Sequence, residues 1–323
     1  MCASHWAHWL RDRLNLPVVL LIGPTASGKS AAALDLAERF NAEIISIDSA
    51  LVYRDMNIGT AKPSAEEQAR VPHHLIDLIS PVETYSVARF LVDCRAAITA
   101  IHSRGRLPML VGGTMMYANI LVRGLSDVPP SDAAIRAEIA ADRERDGIEV
   151  LHDKLLAVDP VTAARLPATD TQRIERALEV WRLTGTPLSS MQGQRKPALT
   201  ALETLVLRWM PEDRAWLHAR CEQRLVTMFE RGLVDEVRSL RERYELSADM
   251  PSMRCVGYRQ VLDVLEGRTP EALMFERALF ATRQLAKRQI TWLRSFEGAV
   301  VACDSESATS RAAELIKKAC NPG

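Results

Sequence analysis

The sequence predicts an α/β fold: a parallel sheet flanked by helices, interrupted by an all-helical insertion. Three observations carry that prediction. An unbroken apolar run, Val18 to Ile22, leads straight into a glycine loop and then a helix-forming stretch. Further apolar runs alternate with helix-like segments up to about Gly113 and resume at Thr204, the alternation that builds parallel sheets. Between them, from Ser131 to about Arg195, short helical periods follow one another without a strand pattern.

Val18 to Ile22 is rich in β-branched residues and reads as a strand buried on both faces. Gly23-Pro24-Thr25-Ala26-Ser27-Gly28-Lys29-Ser30 then fits G-x-x-x-x-G-K-[ST], the P-loop pattern, and Ala31 to Phe40 continues as a helix. Gly23 and Gly28 let the backbone turn and approach an anion. Loop amides and the helix N-terminus aim donors at phosphate oxygens. Lys29 adds a mobile point charge, and the Ser30 hydroxyl is the candidate ligand for Mg²⁺. The pattern suits a nucleotide such as ATP or another phosphate ester equally.

Glu43 to Ile47 reads as a second strand, placing Asp48 at its carboxyl end, where open parallel sheets bind ligands. A helix N-cap is the plain alternative for that aspartate. Met56 to Ser64 is a loop with Lys62 available for an anion, Leu75 to Ile79 a third strand, and Tyr85 to Arg104 a helix. Leu107 to Gly113 is a fourth strand, followed by Thr114. An NTPase would place a Mg²⁺-binding acid at such a strand end; Gly112-Gly113-Thr114 offers only a hydroxyl, which weakens a hydrolase reading.

Pro129 and Pro130 mark a boundary, so the chain divides into an α/β core of 1–127 and 196–323 and a helical insertion of 128–195. In the insertion, Asp170 opens a helix that Gly185 closes, with Ile174, Leu178 and Trp181 as its apolar stripe and Gln172, Arg173 and Arg176 elsewhere on it. The chain returns to a strand at Thr204 to Trp209, then to helices over Arg214–Arg231, Arg254–Glu266 and Pro270 to about Phe296, with a last short strand over Ala299–Cys303. Arg254 to Arg294 holds eight basic and four acidic residues, interleaved with Tyr258 and Trp292. That local excess points to nucleic acid, although a solvated helix face is the simpler explanation of such a run.

Composition narrows the class. The 323 residues carry 41 basic and 41 acidic side chains, so a nucleic-acid partner needs a local patch. Six scattered cysteines form neither a disulfide framework nor a zinc site, which predicts a reduced, cytoplasmic chain. No run is long enough to span a membrane.

GPTASGKS, ISIDSALVYRDMNIGTAKP, LVGGTMMY, QRIERALEV, RCVGYRQ and ATRQLAKRQITWLR, in that order, resemble the tRNA isopentenyltransferase family, the bacterial tRNA dimethylallyltransferases. The resemblance runs from about Pro17 to Phe296. It implies transfer of a dimethylallyl group from dimethylallyl diphosphate to N6 of the adenine at tRNA position 37, beside the anticodon. The P-loop would hold the diphosphate with Mg²⁺. One arginine would join it, Arg224 by resemblance, with Arg220 as the alternative. Asp48 would be the general base, and Thr114 would bond the adenine or the reacting nitrogen. The anticodon stem-loop would meet Asp48, Ser49, Ala50, Leu51 and Thr114; Arg136, Gln172, Arg173, Ile174, Glu175 and Arg176 in the insertion; and, towards the C-terminus, Arg254, Cys255, Val256, Gly257, Tyr258 and Arg259, with Lys287, Arg288, Gln289, Ile290, Thr291, Trp292, Leu293 and Arg294. A monomer with no membrane partner is expected. A small-molecule kinase of the P-loop class and an RNA-binding module without chemistry are the competing readings; the first predicts nucleoside triphosphate turnover, the second RNA binding with no product.

Overall fold

The computed structural model describes residues 16–126, 128–191, 195–196, 199 and 202–321. In chain order the elements begin β1 (Val18–Ile22), α1 (Lys29–Arg39), β2 (Ala42–Ser46), α2 (Ala65–Arg70), β3 (His73–His74), α3 (Val87–Ser103), β4 (Leu107–Gly112) and α4 (Met115–Arg123). Next come β5 (Leu125–Ser126), α5 (Ala133–Asp146), α6 (Ile148–Val158), α7 (Pro160–Ala163), α8 (Thr171–Thr184), α9 (Leu188–Met191) and β6 (Arg195–Lys196). The chain ends with β7 (Thr204–Met210), α10 (Arg214–Glu230), α11 (Leu233–Arg243), α12 (Tyr258–Leu265), α13 (Met274–Leu293), β8 (Ala299–Ala302) and α14 (Ala308–Cys320).

These elements form two compact units, one of residues 1–119 with 201–323, the other of 120–200. In the first, a six-stranded sheet runs in the order β3-β2-β4-β1-β7-β8. All its pairings are parallel, with Leu20 of β1 level with Leu110 of β4 and Val206 of β7. β1 is central and every one of its side chains is buried, as its uninterrupted apolar run requires. Val19 and Leu21 share a core with α1 and α14, while α10 to α13 build a second core with Val52, Tyr53 and Met56. Because the strands are parallel, the residues following β1, β2 and β4 emerge on one edge.

The second unit packs its helices around Ile139, Leu151, Leu155, Ile174 and Leu178. Its caps explain its element ends. Asp132 accepts from the N–H groups of Ala134 and Ile135 to open α5, Asp170 accepts from Arg173 N–H to open α8, and Gly185 ends α8 in the left-handed conformation. Trp181, expected in the apolar stripe of α8, is exposed; Ala177 and Val180 are buried instead.

Several local expectations are corrected. The third strand is His73–His74 rather than Leu75–Ile79, because Leu75 and Asp77 take φ of 62° and 54°, which no strand accommodates. The helix expected from Arg254 starts at Tyr258, after Gly257 turns at φ 93°. The helix expected from Pro270 starts at Met274, after a 3₁₀ turn over Glu271–Leu273. Helices α11 and α14 had no counterpart in the sequence reading. Lys62 is not available for an anion: its Nζ donates to Tyr53 O at 2.8 Å and pairs with Asp77. Among the described residues no helix is long and apolar enough to cross a membrane.

Candidate active site

The glycine loop that matches the P-loop pattern leaves β1 at Gly23, whose N–H donates to Gly112 O of the neighbouring β4 at 3.4 Å. No side chain fits at Gly23, since a Cβ there would lie 2.5 Å from Trp209 O. Ala26 and Gly28 take φ of 61° and 82°, which curls the loop before α1 begins. The curl is held from inside: Ser27 Oγ donates to Pro24 O at 2.8 Å, and Trp209 Nε1 donates to Ser27 O at 2.9 Å. Lys29 is 9 % exposed and donates from Nζ to Pro24 O at 2.6 Å.

Both candidate arginines reach this loop from α10. Arg220 Nε donates to Ala26 O at 2.9 Å, and its guanidinium stacks 5.0 Å from the Trp216 ring. Arg224 donates to Thr25 Oγ1 at 3.2 Å. One turn apart on a helix, two side chains project together, so one segment brings two cations to the loop. Trp209 has no role assigned to it from the sequence; its place at the end of a strand beside β1 is the signal available for it.

Burial pushes the Lys29 ammonium down to about 8, helped by the like charge of Arg224 and opposed by Asp48. The Arg224 guanidinium is likewise lowered by burial, with Asp48 working against the shift. A lowered pKa means that Lys29 is charged below about 8 and increasingly neutral above it. An anion entering the loop would stabilise the charged form, so binding of an organic diphosphate at about pH 8.5 would be expected to take up part of a proton. Titration calorimetry with methyl diphosphate, as a probe of the loop, in buffers of different ionisation enthalpy should show that uptake. It should vanish in Lys29→Met, whose side chain takes up no proton. Buffer-independent heats at that pH would rule the coupling out.

Asp48 and Thr114 meet on the same edge. Asp48 Oδ1 accepts from Ala50 N–H at 2.9 Å, and Thr114 Oγ1 accepts from Ser49 N–H at 2.9 Å and donates to Ser49 Oγ at 3.2 Å. Thr114 thus ties the turn that carries Asp48 to the end of β4. Burial raises the Tyr117 hydroxyl and lifts Tyr53 to about 12, so the aromatic groups of this region stay neutral. Ser30 is exposed in the first turn of α1, and among the described residues no group of three His, Cys, Asp or Glu could hold a metal. One hydroxyl donor fits Mg²⁺, a hard cation held otherwise by substrate phosphate and water.

The expected RNA contacts divide by burial. In the helical unit Arg136, Gln172 and Arg173 are exposed. Glu175 pairs with Arg143 at 2.7 Å, and Arg176 holds Glu179 at 2.7 Å and Pro129 O at 2.5 Å. In the α/β unit Ser49, Arg254, Lys287, Arg288, Thr291, Trp292 and Arg294 are exposed, and Ala50, Leu51, Cys255 and Val256 are half-buried. Arg259 is engaged with Ala248 O and Asp263. Ile174, Tyr258 and Leu293 are corrected to core residues at 0 % exposure, and Gln289 and Ile290 are buried too. Apolar stripes must face inward, so a contiguous motif on a helix always includes residues that never meet a partner. Glu236, missed from sequence, accepts the N–H groups of Asn57, Ile58 and Gly59 and the Tyr258 hydroxyl, joining the loop after Asp48 to α12.

Comparison with known proteins shows the family. The family model described as IPP transferase matches residues 51–296, and that described as isopentenyl transferase matches residues 16–77. A protein of Ralstonia nicotianae named tRNA dimethylallyltransferase is 56 % identical over 308 residues, 93 % of this chain and 95 % of that one. Its namesake from Paraburkholderia xenovorans is 53 % identical over 312 residues, 95 % of this chain and 99 % of the other. The crystal structure of a tRNA isopentenylpyrophosphate transferase from Bacillus halodurans is similar with a TM-score of 0.68 and 36 % identity, over 95 % of this chain and 97 % of that chain. That of a eukaryotic dimethylallyltransferase acting on tRNA is similar with a TM-score of 0.79 and 28 % identity, over 93 % of this chain and 78 % of the other.

Proposed function

This chain belongs to the IPP transferase family, and from that premise we propose that it transfers a dimethylallyl group from dimethylallyl diphosphate to N6 of adenine 37, next to the anticodon of tRNA. One observation carries the reading: a P-loop with two arginines shares its sheet edge with a lone aspartate and a threonine, and β4 ends without the acid a nucleotide hydrolase uses.

The chemistry follows from the charges. The adenine amine is a weak nucleophile because its lone pair is delocalised into the ring. As the N6–C bond forms and the C–O bond to diphosphate breaks, the amine proton passes to the Asp48 carboxylate. Asp48 keeps its orientation through Ala50 N–H, and Thr114 fixes the turn that presents it. Lys29, Arg220, Arg224 and the loop amides receive the negative charge of the departing diphosphate. Mg²⁺ bound through Ser30 would add a further positive charge to the leaving group. The base must be unstacked to enter such a site. The reading places the protein in the cytoplasm as a monomer. Incubation with labelled dimethylallyl diphosphate and, separately, labelled ATP, each with bulk tRNA, tests it. Label entering tRNA from the first and no turnover of the second supports the reading; ATP turnover favours a kinase, and RNA binding without product favours a binding module.

Exposed basic residues of the helical unit and, separately, of α13 would each contact tRNA phosphates. Each phosphate contact removed should lower the slope of log affinity against log salt by about 0.7 to 0.9. Arg173→Ala combined with Lys287→Ala is therefore expected to weaken tRNA binding and to flatten that slope by about 1.4 to 1.8, leaving dimethylallyl diphosphate binding almost unchanged. Filter binding across a salt series decides it; equal slopes for mutant and wild type would make these residues a solvated surface.

A further inference from the structure

Gln289 interrupts an apolar stripe of α13 formed by Ala286, Ile290 and Leu293, and it is 8 % exposed. A carboxamide buried there costs stability unless both of its ends are bonded. Both are. Oε1 accepts from Thr25 N–H at 2.8 Å, and Nε2 donates to Gly113 O at 2.8 Å. The two partners belong to different parts of the site: Thr25 sits in the P-loop, and Gly113 immediately precedes Thr114 at the end of β4. A Cβ at Gly113 would lie 2.6 Å from Gln289 Nε2, so a glycine is required for the carboxamide to enter. Thr25 is held from its other side as well, where its hydroxyl accepts from Arg224.

We propose that Gln289 is a positioning residue for the transfer reaction, spanning the diphosphate loop and the strand end that presents Thr114 and the Asp48 turn. This rests on the function proposed above. Gln289 acts through Thr25 and Gly113 rather than on either substrate, and it sets the separation between leaving group and acceptor base. The requirement is chemical as well as steric: the bridge needs one acceptor and one donor at fixed length. Ionised glutamate supplies only acceptors, whereas protonated glutamate supplies both.

That difference gives a test. Gln289→Met keeps the volume and removes both bonds. It is expected to retain tRNA affinity and to lower kcat by about ten- to a hundredfold, with a much smaller change in KM for dimethylallyl diphosphate, because misalignment acts on the reacting geometry. Gln289→Glu is expected to show a similar loss at about pH 8 and to recover at least about fivefold relative to wild type by about pH 5.5, because burial and the facing Gly113 carbonyl raise the introduced carboxyl and let it protonate in that range. The ratio to wild type cancels the titration of the rest of the site, and Gln289→Glu serves as its own folding control should Gln289→Met fold poorly. A ratio flat with pH, a Gln289→Met enzyme with wild-type kcat, or a loss confined to tRNA affinity would each overturn the proposal. A wild type that transfers nothing to tRNA overturns the function and this role together, whereas an active wild type with an indifferent Gln289→Met removes the role of Gln289 alone.

Discussion

Replacing Asp48 by asparagine is expected to slow transfer by about a hundredfold to ten-thousandfold while tRNA still binds. The substitution is isosteric, and its side-chain oxygen can still accept from Ala50 N–H, so the turn is kept. What is lost is the ability to take a proton. The charge lost also matters. Asp48 supports the charged forms of Lys29 and Arg224, so asparagine should lower the Lys29 pKa further below about 8. At neutral pH the remaining cations still hold the diphosphate, and with one anion fewer beside it the KM for dimethylallyl diphosphate should not rise. Single-turnover rates with saturating tRNA, measured beside filter-binding affinities, separate the outcomes. Near-normal turnover would reduce Asp48 to a cap on its own turn.

Lys29→Ala is the second large effect, expected to weaken dimethylallyl diphosphate binding and slow transfer by a combined factor of about a hundred to a thousand. Lys29 is buried and its Nζ lies against Pro24 O inside the curl of the loop, so solvent screens its charge poorly. No arginine can replace it from outside, because Arg220 and Arg224 approach the loop at Ala26 and Thr25. The fold should tolerate the change, since removing a desolvated cation also relieves its repulsion with Arg224. tRNA affinity should stay nearly intact. A collapse of tRNA affinity in the mutant, with its melting temperature preserved, would mean that the loop is part of the RNA surface.

Much of this architecture was legible in the sequence because its signals are local. Val18–Ile22 is apolar at every position, so no face of that strand can meet water. GPTASGKS contains the glycines that its turns demand, and Asp170 and Gly185 bracket α8 by satisfying backbone groups within one turn. The parallel arrangement then follows from strands alternating with helices, and with it the meeting of Gly23, Asp48 and Thr114 on one edge. The resemblance of six motifs to one family supplied the proposed substrates.

What only the tertiary structure decided are contacts between residues far apart in the chain. That both Arg220 and Arg224 reach the loop, that Trp209 braces Ser27, that Glu236 gathers three loop amides, and that Gln289 bridges Thr25 to Gly113 depend on how α10, α11, α13 and β7 pack against the sheet. Packing also chose which members of each motif face inward, sending Ile174, Tyr258 and Leu293 into the cores, while hydrogen bonds from Asp77 N–H to Leu51 O and from Leu78 and Ile79 N–H to Val52 O hold a segment in which Leu75 and Asp77 take positive φ. Local propensity differs by about 1 kcal/mol or less between such alternatives, whereas burying one large side chain is worth about 1.5 to 3 kcal/mol. Where the two compete, the distant neighbours that the chain brings together determine the outcome.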